Sequence, residues 1–169
     1  MQLTRLAAAP LILLAAAFVP GTAGAGGPVT YWEATNGAGA CQGALPAFAG
    51  TLRARPLAIQ NEGDATAFVT CSLDAGDGTY SKSIPRVVVS VRNNSAATVE
   101  IPCTMVDGWG SYAQYLTRTV TVTANSTWAF AFTSSELPGA PAKFSMPNLS
   151  CQLPPQTGVQ WVGHDYRWD

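Results

Sequence analysis

Residues 98–106, TVEIPCTMV, alternate so that Val99, Ile101, Cys103 and Met105 share one face while Thr98, Glu100, Pro102 and Thr104 share the other. Successive side chains of a β-strand point to opposite sides of the sheet, so this stretch reads as a strand with one face turned inward. Its centre recurs elsewhere. Val69-Thr-Cys71-Ser-Leu73 and Leu149-Ser-Cys151-Gln-Leu153 repeat the order of Ile101-Pro-Cys103-Thr-Met105: apolar, any residue, cysteine, polar, apolar. Each cysteine shares a face with its apolar neighbours, so three sulfur atoms are expected in one core. Pro102 has no amide hydrogen for a ladder, which places it at an edge or a bulge.

The same period extends outward along the chain. Strand patterns appear at 65–73 (ATAFVTCSL), 86–92 (RVVVSVR), 115–123 (YLTRTVTVT), 127–133 (TWAFAFT), 142–153 and 159–168 (VQWVGHDYRW). Between them lie turn clusters such as Asn93-Asn94-Ser95, and Asn125-Ser126 reads as the turn of a hairpin between its two flanking strands. Helix patterns are almost absent after residue 25. The expected fold is all-β: a single antiparallel β-sandwich of about seven to nine strands, Greek-key or jelly-roll-like. One domain suffices, with residues 26–45 as a Gly/Ala-rich N-terminal arm and 46–169 as the sandwich.

Residues 1–25 read as a secretory signal. Arg5 is the positive n-region, Leu6–Val19 the apolar h-region, and Ala23-Gly24-Ala25 an A-x-A cleavage pattern. The apolar run, interrupted by Pro10, is shorter than the roughly 20 residues of a spanning helix, so no stable membrane anchor is expected from it. The Ala-rich h-region is bacterial in type, which implies export to the periplasm or the medium. Without Arg5, eight basic residues face ten acidic ones. No basic patch emerges, which argues against nucleic acid as a partner. Charged residues make up only 11% of the chain, against about 25% in typical domains, so the surface must be built from hydroxyl, amide and glycine groups.

An even number of cysteines in an exported chain implies disulfides. Cys41, Cys71, Cys103 and Cys151 allow three connectivities, of which Cys41–Cys71 with Cys103–Cys151 is favoured. Zinc fits poorly, because no Cys-x-x-Cys pair exists and His164 is the only histidine. No metal or cofactor is expected. His164 shares an alternating face with Val162, Tyr166 and Trp168, the setting of a structural histidine, and no Gly-x-Ser-x-Gly elbow accompanies it. No catalytic residue is therefore assigned. Asp74-Ala-Gly-Asp77-Gly78 lacks the oxygen-ligand spacing of a calcium loop and reads as a Gly/Asp turn. Asn93, Asn125 and Asn148 begin glycosylation sequons, which in a bacterial chain are turn residues.

One loop offers a recognition surface. In Asp107-Gly-Trp109-Gly-Ser-Tyr112-Ala-Gln-Tyr115, large rings stand among glycines beside a turn, where full burial is difficult. Trp109, Tyr112 and Tyr115 are the expected contacts for a protein or polysaccharide partner, since flat rings stack on sugar faces and dominate protein hot spots.

The alternation ending at penultimate Trp168 resembles the terminal strand of chaperone–usher pilins, although Cys103 and Cys151 depart from that pattern. That resemblance implies a filament subunit whose open groove takes a neighbour's arm, with residues 28–35 as the arm. Gly163-His-Asp-Tyr166-Arg-Trp168 also resembles the closing signal of outer-membrane barrels. The reading preferred over both is an exported, non-enzymatic binding or structural module of the cell envelope or secretome. A filament subunit, a carbohydrate-binding module and a small hydrolase are the alternatives.

Overall fold

The computed structural model describes residues 29–73 and 82–168. The leader and the Asp74–Gly78 turn lie outside the described residues. The described residues form eleven strands: β1 (Tyr31–Asn36), β2 (Cys41–Gly43), β3 (Leu52–Arg55), β4 (Ala58–Asn61), β5 (Ala67–Ser72), β6 (Lys82–Asn93), β7 (Val99–Asp107), β8 (Gln114–Val122), β9 (Ser126–Thr133), β10 (Asn148–Leu153) and β11 (Thr157–Trp168). They form two antiparallel sheets. One runs β3-β4-β11-β6-β9, with β1 also on β11, and the other runs β2-β5-β10-β7-β8. From β4 onward, β4-β11-β6-β9 faces β5-β10-β7-β8, which is the eight-stranded jelly roll. The short strands β1, β2 and β3 are additions to that frame. The all-β sandwich expected from the alternation is therefore present.

The cysteine pattern sets the core. Cys41 lies opposite Cys71, and Cys103 opposite Cys151, each pair in register on adjacent strands of the five-stranded sheet. Both pairs are bonded and buried, the favoured connectivity among the three. Met105, Leu149 and Val69 surround them, and Val87, Val89, Val91, Val159, Val162 and Phe132 project from the other sheet. Pro102 pairs with Thr119 of β8, while the ladder to β10 stops at Cys103. The proline thus sits where an interior strand has only one neighbour.

Two buried asparagines close the end where β4 and β6 cross to the opposite sheet. Asn61 donates to Ala65 O (2.8 Å) and Leu153 O (2.7 Å) and accepts from Gly63 N (3.0 Å). Asn93 donates to Ala97 O (2.7 Å) and Val122 O (3.0 Å) and accepts from Ser95 N (2.9 Å). These bonds satisfy crossover backbone that would otherwise be orphaned in the interior.

Other features were not fixed by the alternation. Asn125, with φ of 53°, does reverse the chain, but β8 and β9 belong to different sheets and form no hairpin. Their apolar faces meet across the sandwich, a choice that turn chemistry does not encode. Within the Gly/Ala-rich N-terminal stretch, Tyr31–Asn36 supplies β1 to one sheet and Cys41–Gly43 supplies β2 to the other. Finally, β1 pairs with β11 of its own chain, from Tyr31↔Tyr166 to Asn36↔Trp161, and β6 flanks β11 on its other side. The terminal strand is thus interior, not the wall of a groove awaiting a neighbour's arm, and an open sandwich is not a membrane barrel.

Candidate functional site

The aromatic loop lies at one end of the sandwich. Gly108 and Gly110 take φ of 90° and 54°, a region costly for other residues, and they swing the chain around Trp109. Asp107 is buried and accepts hydrogen bonds from Ser145 N (2.7 Å) and Met146 N (2.8 Å), tying this loop to the segment before β10. Trp109 and Tyr112, 59% and 77% exposed, border a cavity of about 450 Å³ completed by Gln114, Pro138, Pro141 and Ser145. Tyr115 is 64% exposed but does not line that cavity; it lies opposite Val106 on the outer face of the five-stranded sheet. The structure brings together two of the three expected residues.

His164 is 3% exposed and pairs with Val87 of β6 and Glu33 of β1. Glu33 Oε2 lies 2.7 Å from Lys82 Nζ and 3.8 Å from His164 Nε2. Lys82 also sits 5.0 Å from the centroid of the Tyr166 ring. This cluster fastens β1 to the sheet, with His164 and Lys82 buried beneath a partly exposed Glu33. Glu136 belongs to another such fastening. It accepts from Thr133 N (2.8 Å) and Thr133 Oγ1 (2.9 Å) and pairs with Arg118. Its pKa is lowered, first by the backbone hydrogen bond from Thr133, then by that residue's hydroxyl and by Arg118.

A second surface escaped the sequence reading. Val159 and Val162 of β11 both face the core, although they lie three positions apart, an odd spacing that strict alternation would put on opposite faces. A register shift between Val159 and Trp161 resolves this, because a bulge sets the consecutive residues Gln160 and Trp161 together on the outer face of the six-stranded sheet. Trp32 of β1 joins them. Its ring crosses Gly163, where an added Cβ would come within 2.6 Å of the indole, and meets Trp161 edge-on at 5.9 Å. Trp32 remains 48% exposed.

These rings border a cavity of about 480 Å³ that Ala34, Thr35, Asn36, Leu57 and Gln160 complete. Leu57 and Gln160 also line an adjoining cavity of about 380 Å³ with Arg55, Gln60, Arg92 and Asn94. The two form one groove across the sheet, aromatic at one end and lined by amides and guanidinium groups at the other. Polar side chains here are already oriented: Ser90 Oγ donates to Gln160 Oε1 (3.2 Å), and Asn36 Nδ2 donates to Pro56 O (2.9 Å). Tyr31-Trp32 was visible as the only bulky pair in a small-residue segment, but nothing local signalled that it would lie beside Trp161.

No family model matches this chain, and no curated protein matches it. Among solved structures it is similar to a family 11 carbohydrate-binding module from Clostridium thermocellum in complex with a beta-1,3-1,4-mixed-linked tetrasaccharide, at 11% identity over 81% of this chain and 87% of that one, TM-score 0.38. It is also similar to a family 16 carbohydrate binding module, at 9% identity over 66% and 74% of the two chains, TM-score 0.34. A third is TmCBM61 in complex with beta-1,4-galactotriose, at 13% identity over 81% and 85%, TM-score 0.29. Overlaps of this quality bear on neither ligand nor site.

Proposed function

We propose that this chain is a non-catalytic polysaccharide-binding module that works outside the cytoplasm. The observation that carries the reading is the bulge at Gln160–Trp161, which joins two indoles and a row of planar polar side chains into one open groove. A sugar ring presents C–H faces that stack on indole and a rim of hydroxyls that pairs with amide and guanidinium groups. A groove built on strands is already shaped, so little ordering opposes binding. The export pattern of residues 1–25 and the two disulfides support an extracytoplasmic site of action. A second reading places the ligand at the end of the sandwich, on Trp109 and Tyr112 with Tyr115 beside them, because these rings stand exposed around a cavity of their own.

Depletion from solution by insoluble polysaccharides separates the two. Oxidised residues 26–169 would be mixed with a panel of plant and microbial cell-wall polymers, alongside Trp32→Ala, Trp161→Ala and Trp109→Ala. The groove reading expects depletion of wild type and Trp109→Ala by at least one polymer, and none of the other two variants. Loss confined to Trp109→Ala moves the site to the loop. No depletion of wild type by any polymer refutes the function.

A further inference from the structure

Charge is unevenly distributed over the proposed binding face. Strand register sets Arg53, Gln60, Gly158, Arg92 and Thr127 in one row across five strands. Gly158 has no side chain to raise the floor between Gln60 and Arg92, and a Cβ there would come within 2.6 Å of Ile59 O. The polar end of the groove runs between these two side chains. Two other arginines of this face are matched by carboxylates: Arg55 bonds Glu62 at 2.6 and 2.7 Å, and Arg86 bonds Asp165 at 3.3 Å. Among the described residues, neither Arg53 nor Arg92 has a carboxylate within ion-pair reach. No Asp or Glu lines either half of the groove, in a chain with ten acidic residues.

The hydrogen-bonding groups are biased in the same direction. Asn36 Oδ1 accepts from Ala38 N, Gln160 Oε1 from Ser90 Oγ, and Asn94 Oδ1 from Arg92 Nε. Three amide oxygens of the groove are thus already engaged inside the protein, while the Gln160 amide nitrogen stays available as a donor. Arg92 is held by its Nε to Asn94, whose own N–H bonds Gln156 O at 2.9 Å. That leaves the two terminal nitrogens of the guanidinium as a fork matched to a carboxylate. Neutral sugars bring hydroxyl protons that need acceptors, whereas a carboxylate brings acceptors alone.

We infer that the groove takes an acidic polysaccharide, one containing uronic acid units, with Arg92 on the carboxylate and Trp32 and Trp161 on the ring faces. This rests on the polysaccharide-binding reading above. Polygalacturonate and its fully methyl-esterified form test it, by tryptophan fluorescence titration and calorimetry on wild type, Arg92→Gln, Arg92→Lys, Trp161→Ala and Arg118→Gln. Arg118 lies on β8, in the opposite sheet.

The expected result is binding to the free acid at least about tenfold tighter than to the ester, the scale of one charge-assisted bidentate contact. Arg92→Gln should erase that preference, Arg92→Lys should restore part of it, and Arg118→Gln should keep it. Trp161→Ala should weaken both polymers. Equal binding of acid and ester, or equal losses in Arg92→Gln and Arg118→Gln, overturns the acidic preference and leaves the module a reader of neutral sugars or a general polyanion binder. No binding of either polymer, with depletion by neutral glucans or xylans intact, overturns the inference alone. No binding of any polysaccharide overturns the function as well.

Discussion

Replacing Cys103 and Cys151 together by alanine should destabilise the fold more than any single surface change, and the size follows from chain length. The Cys103–Cys151 bridge closes a sequence separation of 48 residues, so the loop-closure estimate for the constraint lost from the unfolded chain is about 4 kcal/mol. For Cys41–Cys71, with a separation of 30, the same relation gives about 3.6 kcal/mol. The contexts widen that gap. Cys103 and Cys151 join two interior strands, β7 and β10, beside Met105 and Leu149, whereas Cys41 sits on the three-residue edge strand β2. An edge strand frays locally, so part of its bridge's effect is spent on restraining β2 alone.

With an unfolding entropy of roughly 0.3 kcal/mol/K for a domain of about 140 residues, losing the interior bridge should lower Tm by about 13 °C. Losing the edge bridge should lower it less. Differential scanning calorimetry of both double variants, and of wild type with and without reductant, measures this directly. Equal Tm values with and without reductant, or a larger drop for the Cys41/Cys71 variant, would refute the reasoning.

Three further outcomes follow from named contacts. Glu136 has a folded pKa below its unfolded value, so its stabilising effect is full above the ordinary carboxylate range near 4.5 and fades as pH falls through the lower folded pKa. Glu136→Gln should therefore narrow the stability difference between pH 6 and pH 3, by less than about 1 kcal/mol for so exposed a group; an unchanged acid limb in urea titrations would contradict this. Asp107→Ala leaves the part-buried amides of Ser145 and Met146 without their acceptor and should cost about 1 kcal/mol. Hydrogen exchange at those two amides should rise, and protection equal to wild type would refute the role. Gly163→Val places a side chain where a Cβ already meets the Trp32 ring at 2.6 Å and Glu33 O at 2.7 Å. It should unseat β1, raise the exchange of residues 31–36 and shift Trp32 emission to the red; a spectrum identical to wild type would be the contrary result.

What could be read from the chain alone was whatever repeats with period two. The stretch around Cys103 announced its inward face, as did those around Cys71 and Cys151, and the buried valines of β6 followed the same rule. The binding face was not readable, for a physical reason. Gln160 and Trp161 lie on one side of the sheet only because a bulge interrupts the alternation, and a one-residue slip moves every later side chain to the other face. Trp32 reaches Trp161 across more than a hundred residues of sequence, through a strand pairing that no local pattern encodes. The loop at Trp109 stood out because glycines beside rings are a local signal, but whether its rings fold back or face solvent depends on packing at the end of the sandwich, where Trp109 is exposed. The crossing from β8 to β9 shows the same limit: Asn125 specifies a reversal but not the sheet that receives the next strand.

The most direct measurement is an NMR titration that follows the five tryptophan indole N–H resonances. The ligand would be a soluble oligosaccharide of whichever polymer depletes the protein from solution. The account expects the Trp32 and Trp161 signals to shift in step with saturation while those of Trp109, Trp128 and Trp168 stay in place. Movement of Trp109 alone, or saturation with no indole moving, would contradict a binding site on the outer face of the six-stranded sheet.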